Sequence, residues 1–299
     1  MEKTMNNTND ELQVANPPEV STERELFFAF GIPKSGTTYL QLILNSHPQV
    51  SCPSEHQFDV LLRNIPRLLQ GYDQAMVTVD EKTARQGTVP FSEQDAAALC
   101  RAAILLAINR AAETKDAQWM GANDNAIVGH PALFVDLFPQ AKFLCIVRDP
   151  RDSILSAWHH NLRVEPDFLQ RAKSLEDWFD LRSRLWQQRM KNILKLKEKK
   201  PLDESLLLVR YEDLLADGPQ EMATIFNHLG APTTPELIQQ IQEQTSFDRV
   251  KKSAQSNSTD TNGFFRRGKS GSWRDELPPH CIEQVRKNAA EMMDFFGYS

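Results

Sequence analysis

The stretch Phe27-Phe28-Ala29-Phe30-Gly31-Ile32-Pro33-Lys34-Ser35-Gly36-Thr37-Thr38-Tyr39-Leu40 restricts the fold more than any other. An apolar strand runs into a tight Gly/Pro turn carrying one lysine and three hydroxyls. A helix follows, because Leu40, Ile43 and Leu44 fit a 3.6-residue period. The start of a helix offers unpaired backbone N–H groups and a partial positive charge, which suits an anion. Lys34, Ser35, Thr37 and Thr38 at that spot point to a phosphate-like group that the protein handles chemically.

The spacing narrows the kind of anion. The phosphate loop of nucleoside triphosphatases reads G-x-x-x-x-G-K-[ST], with lysine directly after the second glycine. Gly31 and Gly36 keep that interval, but Thr37 follows Gly36 and the lysine lies inside the loop at Lys34. Pro33-Lys34-Ser35-Gly36-Thr37-Thr38 instead resembles the 5′-phosphosulfate loop of sulfotransferases, which holds 3′-phosphoadenosine 5′-phosphosulfate (PAPS). The plainer reading is an ordinary strand–turn–helix with a solvated lysine.

Bulk properties fit this picture. The chain has 299 residues, 40% of them hydrophobic and 25% charged, as in an ordinary globular protein. A net charge of -6 argues against a nucleic-acid partner or an anionic membrane surface, so any polyanion site must be local. Cys52, Cys100, Cys145 and Cys281 lie far apart in sequence and form no metal-type pair; they read as reduced thiols of a cytoplasmic protein. No apolar run is long enough to span a bilayer. Residues 1–22 are polar and predict a flexible tail, with one domain over 23–299.

Strands are expected at 26–30, 50–52, 142–147 and 205–209. Helices are expected at 41–46, 61–69, 93–110, 132–137, 153–161, 175–197, 220–229, 234–244 and 278–296. The segment 71–92 shows no clear period and reads as a surface insertion or lid. Strands alternating with helices imply an α/β domain with a mostly parallel sheet, whose ligands bind beyond the carboxyl ends of the strands.

Two further motifs support the resemblance. The continuous apolar run Lys142–Val147 delivers Arg148 at its carboxyl end, and Ser156 lies about two helical turns further on. Both can meet one anion, the arginine by its planar fork and the serine by its hydroxyl. Alone, Arg148-Asp149-Pro150-Arg151-Asp152 reads as an ion-pair cluster opening a helix; after the phosphosulfate-type loop it is similar to the sulfotransferase 3′-phosphate motif. Near the other end, Arg266-Arg267-Gly268-Lys269-Ser270-Gly271-Ser272-Trp273 resembles the Arg-Lys-Gly-x-x-Gly-x-Trp segment of cytosolic sulfotransferases. That resemblance implies that Arg266, Arg267 and Gly268 clamp the 3′-phosphate. Tyr211 and Phe247 lie in segments similar to those that meet the adenine.

The resemblance implies sulfuryl transfer from PAPS, with 3′-phosphoadenosine 5′-phosphate (PAP) as product and no metal required. Lys34 would stabilise charge on the sulfuryl group and the departing oxygen. Two residues could take the acceptor's proton. Glu55 matches the catalytic glutamate of tyrosylprotein and many bacterial sulfotransferases, and His130 resembles the histidine base of cytosolic members. Glutamate-type members usually carry a lysine where this sequence has Asn123. The dimerisation segment of cytosolic members is degraded at 274–283, which leaves the oligomeric state open. The acceptor is expected to be a small molecule, polar or cationic given Asn123-Asp124-Asn125. Its pocket is expected to form from 71–92, 93–110, 121–130 and 251–265. A kinase using ATP and a non-catalytic nucleotide-binding protein are the alternative readings.

Overall fold

The structure, a computed structural model, describes residues 24–83, 87–198, 202–246, 248–249 and 269–298. The expected tail at 1–22 lies outside them. Five strands, β1 (Glu25–Gly31), β2 (Val50–Ser51), β3 (Trp119–Asn123), β4 (Lys142–Val147) and β5 (Leu206–Arg210), form one sheet. Their order is β2-β3-β1-β4-β5 and every pairing is parallel.

Alternation along the strands builds two cores. Phe28 and Phe30 of β1 join Phe143 and Cys145 of β4 on one face, while Phe27 and Ala29 join Leu144 and Ile146 on the other. All eight are essentially removed from water. Each fully buried phenylalanine contributes about 1.5–3 kcal/mol by transfer alone.

Helices cover both faces. Helix α1 (Thr37–Ser46) packs with α10 (Gly218–Leu229) and α11 (Pro235–Gln244) on the Phe27 side. The other side is covered by α3 (Glu93–Glu113), α4 (Pro131–Leu137), α5 (Pro150–Val164), α7 (Leu175–Lys197) and the C-terminal helix Pro279–Phe295. Short helices α6 (Phe168–Ala172), α8 (Leu202–Ser205) and α9 (Tyr211–Ala216) complete the connections.

Two sequence expectations need correction. The sheet contains β3, which sequence reasoning did not assign to a strand. Gly121 sits at its centre because a Cβ there would lie 2.4 Å from the Phe27 ring. The supposed lid is also largely helix: α2 runs Asp59–Thr83 through Pro66. Contacts from the returning chain hold its second half, with the Tyr72 and Phe91 rings 5.7 Å apart and the Phe91 amide donating to Asp73 at 3.1 Å.

The strand order places a topological switch point between β1 and β4, the two strands whose ends carry the loop at 32–36 and Arg148. Among the described residues no helix is long and apolar enough to cross a membrane. All four cysteines are buried and free.

Candidate active site

The turn after β1 is shaped by backbone strain. Lys34 has φ 72° and Gly36 φ 99°, both left-handed, and the Ser35 amide donates to the Ile32 carbonyl at 3.0 Å. A lysine held there costs roughly 1–3 kcal/mol, which points to a functional demand on its direction. Gly36 is required twice over, since a Cβ would also lie 2.4 Å from a Tyr211 ring carbon. No side chain caps α1, so its first-turn amides face the loop. The Ser35 hydroxyl is buried without a partner. An uncapped helix start beside a buried orphan hydroxyl fits an anion.

The end of β4 supplies the second cationic group. Arg148 donates to the carbonyls of Lys34 at 3.2 Å and Lys269 at 3.0 Å, and its guanidinium lies 4.6 Å from the Tyr211 ring centroid. Its Nε is buried and has no partner. The neighbouring charges have structural tasks. Asp149 caps α5 and receives a forked ion pair from Arg151 at 2.7 Å, while Arg151 stacks 3.7 Å over Trp273. Asp152 accepts from the amides of Gly271 at 2.6 Å and Trp273 at 3.2 Å, fastening the strip 269–273 to the start of α5. The motif is a helix-opening ion-pair cluster in which Arg148 itself pairs with Asp152 at 3.7 Å while facing the cavity.

A cavity of about 620 Å³ opens over these groups. Of the residues that the sequence singled out, it is lined by Lys34, Gly36, Thr37, Thr38, Arg148, Ser156, Tyr211 and Glu55. Ser35 lies buried in the same turn. Phe247, Arg266, Arg267 and Gly268 lie outside the described residues. Lys269, the next residue of that motif, does line the cavity.

The two candidate bases part company. Glu55 forms a bridge to Asn123 at the carboxyl end of the sheet, and Asn125 Nδ2 donates to its Oε1 at 2.6 Å. His130 is exposed between the 3-10 turn Asn125–Gly129 and α4, and is not among the cavity's lining residues. Burial lowers the pKa of Lys34, with the charges of Arg163 and Arg148 acting the same way and Glu55 opposing them. Asn123 is buried, and its side-chain oxygen has no partner.

The cavity wall departs from expectation. Within 59–113 no described residue lines it, and from 121–130 only Asn125 does. The wall comes from α5 and α7 instead, including His160, Trp178, Arg182, Trp186 and Arg189. Sequence reasoning missed these residues. A usable signal was the stripe Trp178, Arg182, Trp186, Arg189, which keeps two cations in phase with two buried indoles along one helix.

The sequence matches the family described as "Sulfotransferase domain" over residues 25–297. Protein-tyrosine sulfotransferase 2 of Gallus gallus is 32% identical over 158 residues, covering 52% of this chain and 40% of that protein. Sulfotransferase 1E1 of Cavia porcellus is 25% identical over 175 residues, covering 52% of this chain and 55% of that protein. The chain spans about half the length of the curated relatives it matches. Among solved structures, mouse sulfotransferase SULT7A1 complexed with PAP has a TM-score of 0.56 at 17% identity, covering 91% of this chain and 85% of that one. Retinol dehydratase in complex with androsterone and inactive cofactor PAP also gives 0.56, at 19% identity, covering 93% and 83%. At such identities these structures establish a shared fold.

Proposed function

Because this chain belongs to the sulfotransferase domain family, we propose that it moves a sulfuryl group from PAPS to a hydroxyl or amino group of a small-molecule acceptor. The observation that carries the reading is the convergence of Lys34, the uncapped start of α1 and Arg148 on one cavity at the switch point of the sheet. When bound, PAPS supplies a sulfuryl group on a phosphate oxygen, and its transfer leaves PAP.

The residues suit that ligand. The first amides of α1, with Thr37 and Thr38, would hold the 5′-phosphosulfate end. Arg148 and Ser156 would hold the 3′-phosphate, with Tyr211 beside them for the base and Arg266, Arg267, Gly268 and Phe247 completing the grip. Buried Ser35 Oγ and Arg148 Nε, both unpartnered, are donors suited to anionic oxygens. Lys34 neutralises charge gathering on the oxygen that leaves. Glu55, held by Asn125, receives the acceptor's proton. The reading calls on no metal ion. Four buried free thiols favour a reducing compartment, so we place the enzyme in the cytoplasm.

The test compares thermal stabilisation by PAP, AMP and ATP. PAP should stabilise most, because only it presents a 3′-phosphate to Arg148. Stabilisation by PAP no greater than by AMP would overturn the reading, and a preference for ATP with magnesium would favour a kinase. A parallel assay of turnover in Glu55→Gln and His130→Ala separates the bases: loss in the first and retention in the second is expected.

A further inference from the structure

Beyond the donor, we propose that the acceptor carries a carboxylate-type anion, held by Arg182 and Arg189 on the α7 wall of the cavity. This inference rests on the sulfuryl-transfer reading and adds the class of acceptor.

Arg182 and Arg189 are seven residues apart, about two turns of helix, so both project to the same side of α7. Both line the cavity and both are partly buried. Among the described residues, neither has a carboxylate partner, and Arg182 Nε is buried with no hydrogen-bond partner. Their own helix offers no acid at the neighbouring three- and four-residue positions: Arg182 is flanked there by Trp178, Phe179, Leu185 and Trp186, and Arg189 by Leu185, Trp186, Asn192 and Ile193. Outward-facing Arg184 on the same helix shows the contrast, paired with Asp180 at 2.7 Å. Helix α7 neutralises the arginine that faces water and leaves the two that face the cavity uncompensated.

A desolvated cation without a counter-ion is costly, so its retention points to a ligand that supplies the missing charge. Burial lowers the pKa of both guanidinium groups, and Arg182 feels Arg189 and Arg171 as further cations. The Arg182 guanidinium lies 4.2 Å from the Trp178 ring centroid, a stacked arrangement in which the edge of the fork stays available to a carboxylate.

The charge inventory of the cavity agrees. In a chain of net charge -6, the lining holds, among the described residues, Lys34, Arg148, Arg182, Arg189 and Lys269 against only Glu55 and Asp152. Asp152 is engaged by the amides of Gly271 and Trp273 and by Arg148 at 3.7 Å, and Glu55 by Asn125. Lys34, Arg148 and Lys269 cluster at the donor end, which leaves the α7 pair for the acceptor. This reverses the polar or cationic acceptor suggested by Asn123-Asp124-Asn125. Asn123 and Asp124 are buried, and only Asn125 reaches the cavity.

The experiment titrates PAP-loaded full-length protein with hydroxyalkanoates and hydroxyphenylalkanoates of increasing length, each matched to its methyl ester and to the amine of equal length. At least one acid should bind about tenfold or more tightly than its ester, with the amine weakest. That gap should narrow in Arg182→Met and in Arg189→Met, and close in the double variant carrying both. The absence of any acid preference, or a preference undiminished in the double variant, overturns the proposal. PAP binding is the internal control. If PAP binds and no acid is preferred, only the acceptor class falls; if PAP fails to bind, the sulfotransferase reading falls with it. As a ligand-free check, the thermal midpoint of Arg182→Met should equal or exceed that of the parent. A clear drop would show a structural partner and sink the proposal.

Discussion

At the sheet end of the cavity, Arg148 is tied to the carbonyls of Lys34 and Lys269 and sits 4.6 Å from the Tyr211 ring, while Asp152 gathers the strip 269–273 beneath it. At the α7 end, Arg182 lies 4.2 Å from the Trp178 ring, but among the described residues neither it nor Arg189 has a carbonyl or carboxylate partner. The first arrangement is assembled before any ligand arrives, which suits a group common to every turnover. The second keeps its charges in reserve, which suits a variable partner that brings its own counter-charge. On the proposed reading, preorganisation at one end and unmet charge at the other would divide the labour between donor and acceptor.

This contrast can be broken by substitution, most sharply at Lys34. Lys34→Ala should lower turnover by roughly 10²–10³-fold while leaving PAP affinity partly intact, because it removes a charge needed most as the leaving oxygen develops. Single-turnover kinetics beside PAP titration checks this; equal losses in both would make Lys34 only a binding residue. Arg148→Ala should weaken PAP by about 1.5–3 kcal/mol and leave AMP nearly unaffected, as judged by calorimetry. Gly36→Ala should destabilise the fold by roughly 1–3 kcal/mol, because its φ of 99° and the Tyr211 ring both exclude a Cβ. Asp152→Asn should have the smallest effect, about 1 kcal/mol in PAP affinity, through a looser 269–273 strip.

A pH profile sharpens the same contrast. Burial lowers the pKa of Lys34, so the ammonium loses its proton at a lower pH than a free lysine does. Activity should fall on the alkaline side with a midpoint below the ordinary lysine value. Between the folded and unfolded pKa values the unfolded chain binds more protons, so stability should rise with pH across that window even as turnover declines. A midpoint at or above the value of a free lysine would contradict the burial argument.

Much of the donor end was legible in the sequence, because its chemistry is local. Lys142–Val147 reads as a buried strand from composition alone, and the 33–38 turn carries its glycine, lysine and hydroxyls in consecutive positions. Strand β3 was not legible. WMGAN has no β-branched residue, and its glycine makes sense only once the Phe27 ring is seen against it. The 71–83 stretch of α2 was missed because tertiary contacts from Phe91 and Thr88, rather than a strong apolar period, complete it. Arg182 and Arg189 drew no notice in the sequence, because their role depends on which side of α7 faces the cavity. The local pattern Glu55–Asn125 was half visible: the glutamate stood out, but its partner became evident only through the bridge to Asn123.

The order β2-β3-β1-β4-β5 also has a consequence for how the protein comes to exist. The middle strand, β1, is synthesised first, yet its neighbours begin only at Trp119 and Lys142. Until the chain has grown that far, Phe27, Phe28 and Phe30 have no sheet to enter and remain open to stray association. The anion cradle cannot exist in early folding species, so a nucleotide ligand would favour only late, closed-sheet forms and would act on the yield of folding by mass action rather than on its first steps.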